Sequence, residues 1–215
     1  MDVREIIIMV LEVAGTISFA ISGAMTAMEK KVDLFGVLFL GIVTALGGGI
    51  IRDITIGKVP PTAFEDGKYM TLAAFTALVV FFIARFASEH YKNKIEILNA
   101  VNNIFDAAGL GIFTIIGIKT AIATGYGNNP FFVLFLGMVT GIGGGIIRDI
   151  LIQEIPFVLR KRIYALASLF GGLIYYLLFL WDVNDLIAVI VSAGATFGLR
   201  ILATIFKWNL PKALE

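Results

Sequence analysis

Eight charged side chains fall inside stretches that are otherwise apolar: Glu12, Arg52, Asp53, Asp106, Lys119, Arg148, Asp149 and Arg200. Each would cost about 2.5–3.5 kcal/mol at the centre of a membrane-spanning helix, so such residues pair with one another or line water. Four are acidic and four basic, and they sum to zero. Their chemistry is the electrostatics of a polar path. Two pairs are the same dipeptide, Arg52-Asp53 and Arg148-Asp149, and each follows a glycine triplet, Gly47-Gly48-Gly49 or Gly143-Gly144-Gly145. Glycine in a helix interior costs about 1 kcal/mol relative to alanine. Three in a row predict a bend or an unwound turn, whose freed carbonyls and amides must face protein or water. Close helix packing is the other use of these glycines. Gly137, Gly141 and Gly145 form a GxxxGxxxG face, and Gly41, Ala45 and Gly49 a small-residue equivalent. Thr44 and Thr140, three residues ahead of the triplets, add hydroxyls to the same path.

Two further stretches carry polar stripes. Glu12, Thr16, Gly23 and Thr26 recur at helical spacing, and Asn99, Asn102, Asn103 and Asp106 form an i, i+3, i+4, i+7 set. Similar depths pair Glu12 with Arg52, and Asp106 with Arg148, across helices. Lys119 either snorkels or places a positive charge near the path, where moving one charge through 100 mV is worth about 2.3 kcal/mol. Arg52, Arg148 and Arg200 can also snorkel. His90, beside Glu89 and Lys92, reads as a solvated loop residue.

The elements that position these residues are membrane helices. The 215-residue chain is 59% hydrophobic and 15% charged, with mean hydropathy +0.93, against about 25% charged for a soluble domain. That composition argues against a soluble enzyme, a disordered chain and a nucleic-acid binder. With no cysteine and one histidine, disulfides, Cys-ligated zinc, iron–sulfur clusters and His-rich metal sites drop out. A crossing needs about 20 apolar residues. Seven segments qualify: Ile6–Met28, Leu34–Ile56, Tyr69–Ala87, Ile97–Ile122, Pro130–Ile152, Ile163–Trp181 and Leu186–Phe206. The first is long, carries Glu12 and is followed by Glu29-Lys30-Lys31, unlike a cleaved signal.

The chain repeats. LFLGIVTALGGGIIRDI (Leu38–Ile54) returns as LFLGMVTGIGGGIIRDI (Leu134–Ile150), offset by 96. The preceding helix aligns at an offset of 94, with Glu12 on Asp106, Gly15 on Gly109, Phe19 on Phe113, Gly23 on Gly117 and Thr26 on Thr120. Each repeat holds three spans, an odd number, so the copies enter the membrane from opposite sides. The expected fold is an all-α membrane protein of seven transmembrane helices: two inverted three-helix repeats (6–87 and 97–181) plus a C-terminal helix (186–206), in one domain over 1–215. On the N-terminal side the loops hold Arg4, Lys58 and Lys68. The other side holds Lys30, Lys31, Arg85, Lys92, Lys94, Arg160, Lys161, Arg162, Lys207 and Lys212. The bias predicts the N-terminus outside and the C-terminus in the cytoplasm.

The doubled GGGIIRDI (Gly47–Ile54 and Gly143–Ile150) in a three-plus-three-plus-one chain resembles the prokaryotic branch of the TRIC family, the trimeric intracellular cation channels, whose repeat is also called a glycine-transporter domain. The resemblance covers nearly the whole chain. It implies a homotrimer with a pore in each subunit, permeable to monovalent cations and chiefly potassium, running past second and fifth helices kinked at the triplets. Gly47, Gly48, Gly49, Gly143, Gly144 and Gly145 are then the conduction-path candidates, with a monovalent cation at the breaks held by unidentified ligands. Animal members place a gating lysine on the fourth helix, which makes Lys119 the candidate here. Their Lys-Glu-Val signature is absent, so their lipid-dependent regulation does not carry over. The implied location is a prokaryotic cell (inner) membrane, with membrane lipids as partners and neither nucleic acid nor a cofactor involved. The alternative is a secondary transporter of glycine or a similar zwitterion, whose carboxylate sits on a half-helix N-terminus and whose ammonium sits on Asp106 or Glu12. No nucleophile–base set or metal constellation supports an enzyme.

Overall fold

The fold is described from a computed structural model of the chain covering residues 3–86, 95–160 and 163–208. His90, Lys92, Lys94, Lys161, Arg162 and Lys212, and the expectations attached to them, lie outside these residues. The long helices are α1 (Val3–Glu29), α2 (Leu34–Thr55), α3 (Lys68–Phe86), α4 (Ile95–Ala121), α5 (Pro130–Leu151), α6 (Tyr164–Leu180) and α7 (Asp185–Ile205). One-turn helices, Thr62–Glu65 and Phe157–Arg160, follow α2 and α5. Six long helices meet the length and apolarity of a membrane crossing, and α6 is a shorter apolar helix of 17 residues.

Helix ends follow local chemistry, and the two repeats share it. The Asp33 side chain accepts from Gly36 N at 2.8 Å to start α2, and Asn129, 96 residues on, accepts from Phe132 N at 3.1 Å to start α5. Such caps satisfy amides that the first turn leaves unpaired. After α2 the chain turns through Gly57 at φ 79°, and after α5 through Gln153 at φ 58°. A left-handed residue suits glycine there and strains glutamine. Beyond α4 the chain continues as a π turn, Ile122–Tyr126, with Gly125 at φ 91°.

Helices α1, α2, α4 and α5 pack as a central group, with α3 against α1 and α2, α6 against α4 and α5, and α7 against α4 and α6. At the centre, Phe19 and Phe113 stack with ring centroids 5.3 Å apart. Each ring covers a glycine of the other repeat. A Cβ on Gly109 would lie 2.4 Å from Phe19, and one on Gly15 would lie 2.9 Å from Phe113. The reciprocal contact marks a local two-fold between the repeats.

Of the two expectations for the glycine triplets, the structure bears on the unwound turn. Both α2 and α5 run as unbroken α-helix through them, with no unwound turn. Their first two glycines are instead where the helices meet. A Cβ on Gly48 would lie 2.0 Å from the Thr140 carbonyl oxygen, and one on Gly144 would lie 2.0 Å from that of Thr44. Packing gained by that approach, together with intact backbone hydrogen bonds where water is scarce, offsets glycine's intrinsic helix cost.

Candidate functional site

On the face opposite the N-terminus, α5 delivers Arg148 into a closed polar cluster. Its Nε donates to Asp149 Oδ1 at 2.8 Å, and its Nη1 donates to Ser22 Oγ at 2.8 Å and Asp106 Oδ1 at 3.0 Å. Arg148 and Ser22 are fully buried, and Asp106 and Asp149 nearly so. The other Asp149 oxygen accepts from Phe157 N at 2.8 Å, tying the arginine to the turn after α5. The Phe157 ring lies 5.2 Å from the guanidinium. The expected Asp106–Arg148 pair is therefore present. A second buried arginine lies next to it: Arg200 on α7 donates to Asn103 Oδ1 at 2.9 Å and to Thr204 Oγ1 at 2.6 Å, with Tyr164 5.2 Å away. Arg200 is anchored inside the protein and does not snorkel.

Toward the N-terminal face the same motif takes different partners. Arg52 Nε donates to Asp53 Oδ1 at 2.8 Å, and Asp53 Oδ2 accepts from Thr62 N at 2.8 Å. This copies the Arg148–Asp149–Phe157 corner. The expected Glu12–Arg52 pair, however, does not form. Glu12 accepts from the Tyr69 hydroxyl on α3, and the Arg52 side chain keeps 11% of its surface exposed. One substitution between the copies and one local donor account for this. The position matching Ser22 is Ile116, buried and apolar, so Arg52 lacks a hydroxyl on the opposing helix. Tyr69 supplies Glu12 with a nearer donor. Outside the spans, hydrogen bonding from Lys68 holds the Asp66 carboxyl below its usual range, fastening the loop that leads into Tyr69.

The glycines divide by direction. Gly47, Gly48, Gly143 and Gly144 form the α2–α5 contact, while Gly49 and Gly145 face the arginine heads, with Cβ positions 3.8 Å from Arg52 Nη2 and 3.6 Å from Arg148 Nη2. Thr44 and Thr140 are fully buried. Each hydroxyl bonds its own helix at 2.6 Å, to Leu40 O and Leu136 O, and lies 2.5 Å from the Cβ position of Gly23 or Gly117. They face helix packing and not the arginine cluster. Lys119 is held by Asp185 of α7 at 2.6 Å, with Tyr175 donating to the same carboxylate at 2.7 Å. Among the described residues no group of three or more His, Asp or Glu side chains could hold a metal ion. Sequence reasoning missed Ser22, Tyr69 and Tyr164. The repeat alignment offered a signal for all three, since Ser22 falls opposite an isoleucine and Tyr69 and Tyr164 match each other at the start of the third helix of each repeat.

The family model described as Glycine transporter matches the chain twice, over residues 9–85 and 103–180. Among curated proteins, the membrane protein YvgT of Bacillus subtilis is 37% identical over 94% of both chains. The inner membrane protein YadS of Escherichia coli is 39% identical over 77% of this chain and 75% of its own. Among solved structures, a prokaryotic TRIC channel in 0.5 M KCl superposes with TM-score 0.85 at 36% identity, covering 96% of this chain and all of the other. A trimeric intracellular cation channel orthologue from Rhodobacter sphaeroides gives 0.84 at 29% identity, over 94% and 99%. A TRIC cation channel solved to explain conductance gives 0.80 at 39%, over 94% and 95%.

Proposed function

The chain belongs to the prokaryotic TRIC family, and from that we propose that it is a cation channel, chiefly potassium-permeable, with a pore in each subunit of a homotrimer. The supporting observation is the likeness, over nearly its whole length, to solved TRIC cation channels. The polar interior fits a cation. With Lys119 neutralised by Asp185, Glu12, Asp53, Asp106 and Asp149 set four carboxylates against the guanidiniums of Arg52, Arg148 and Arg200, an excess of one negative charge when all are ionised. The path follows the sides of α2 and α5 that carry Gly49 and Gly145, alongside the tight crossing at Gly48 and Gly144. Arg148 with its two aspartates fills that path on one side, so conduction requires the cluster to rearrange. Lys119 contributes to voltage dependence only through release from Asp185. The membrane is the bacterial inner (cell) membrane, with the N-terminus outside, following the loop charges.

A second reading, a carrier for glycine or a similar zwitterion, is favoured by the description of the matching family model and by the suitability of inverted repeats for alternating access. Planar-bilayer recording of the purified protein in symmetric KCl separates the two. Unitary currents far above carrier turnover are expected. Saturable glycine uptake into liposomes with no unitary current would overturn the channel.

A further inference from the structure

We propose that the ion pair between Lys30 and Glu154 is a strap across the mouth of the path on the face opposite the N-terminus, and that its release frees the α5 corner to move. The proposal rests on the cation-channel reading and adds what holds that channel shut on this face. A cavity of about 250 Å³ opens where α1 ends, α4 begins and α5 turns, with Thr26, Glu29, Lys30, Asn99, Glu154 and Phe157 in its wall. Lys30 follows the last residue of α1, and Glu154 lies in the turn after α5. Their ion pair therefore joins two of the three walls, and with them the two repeats.

Glu154 is placed to act on the buried cluster. Its backbone N–H donates to Asp149 O at 2.9 Å, in the same turn whose Phe157 N–H is held by Asp149 Oδ2. Asp149 Oδ1 in turn holds Arg148. A pull on Glu154 thus reaches, in two steps, the arginine that fills the path. The turn is also strained: Gln153, beside Glu154, sits at φ 58° where the first repeat has Gly57. Such strain persists only where neighbouring contacts hold it, and releasing the strap removes one of them. At the other face the matching residues stay local. Glu154 matches Lys58, whose ammonium stays within its own loop on Thr62 and Glu65. Lys30 matches Thr124, whose hydroxyl bonds its own helix at Thr120 O. The strap is also weak enough to let go. Its side chains are 40% and 30% exposed, and an exposed pair shifts an equilibrium by up to about fivefold, less as salt rises.

The test is single-channel recording in symmetric KCl, paired with amide hydrogen exchange across the turn after α5 in the full chain. Lys30→Gln and Glu154→Gln are each expected to raise the open-to-closed ratio about two- to fivefold and to speed exchange in that turn. The charge swap, Lys30→Glu with Glu154→Lys, is expected to bring both back towards wild type, which a general loss of folding would not. The chain has no cysteine, so Lys30→Cys with Glu154→Cys creates a unique thiol pair. Bridging that pair with a reducible cross-linker is expected to hold the channel shut until reductant cleaves it. Currents that persist through the cross-link, or single variants with unchanged gating and exchange, would overturn the strap and leave the channel standing. Faster exchange in the variants of a protein that passes no current would overturn the channel and leave the strap as a tie between the repeats.

Discussion

The two Arg-Asp corners share a sequence and a fold yet differ in what surrounds them. In each, the aspartate holds the arginine Nε at 2.8 Å and caps the next turn at 2.8 Å. Beyond that, Arg148 is wholly buried and gains Asp106 and Ser22 from two other helices, while Arg52 stays partly exposed and gains neither equivalent. Helix α7 packs on α4 and α6 of the second repeat and sends Arg200 next to its cluster. The first repeat has no counterpart of α7, and its third helix, α3, which matches α6, has only Ala73 and Ala77 buried. A duplicated motif therefore specifies its own local corner. The opposing helix face and the unduplicated seventh helix decide whether that corner becomes a sealed network or an open one.

The sharpest way to break this comparison is to neutralise the acid on each side. Asp106→Asn leaves Arg148 buried with one carboxylate fewer, and a broken buried pair costs about 3–5 kcal/mol. Glu12→Gln can still accept from Tyr69 and is expected to cost about 1 kcal/mol or less. Thermal unfolding in detergent, followed by tryptophan fluorescence, measures both, and equal losses would sink the asymmetry. Next in size are the glycines. Gly48→Ala and Gly144→Ala each push a methyl onto a carbonyl and are expected to lose about 1–3 kcal/mol, by similar amounts. Gly49→Ala, with no neighbour nearer than 3.8 Å, is expected to be neutral or stabilising. If instead it proves as damaging as Gly48→Ala, the division of the triplet by direction is wrong. Ser22→Ala removes hydrogen bonds to two charged groups, Arg148 and Asp106, and is expected to cost about 1.5–3 kcal/mol, whereas Ile116→Val, its counterpart, leaves the Arg52 corner untouched; denaturant-induced loss of helix circular dichroism distinguishes them. The smallest effect lies at the helix ends. Gln153→Gly relieves the left-handed residue and is expected to gain about 1 kcal/mol, and Gly57→Gln to lose as much, read from the same melts.

The seven helices and the internal repeat were legible because hydropathy and offset depend only on position along the chain. So was Asp106–Arg148, which equal depth brings together. Rotation of each helix about its axis was not legible. It decides that Glu12 meets Tyr69 in place of Arg52, that Thr44 and Thr140 face glycines of α1 and α4, and that Lys119 meets Asp185. Which use the triplets serve was hidden for a related reason. Propensity charges glycine against an isolated helix, whereas here two helices approach until backbone touches backbone, and that contact is invisible from either segment alone.

The meeting of Gly48 with the Thr140 carbonyl, and of Gly144 with that of Thr44, also bears on inheritance. Every amino acid other than glycine carries a Cβ, so each missense change at either codon places an atom in occupied space. Duplication usually creates a spare copy that is free to drift. At this crossing it created two positions, each unable to cover for the other, and the gene carries twice the target for a damaging mutation.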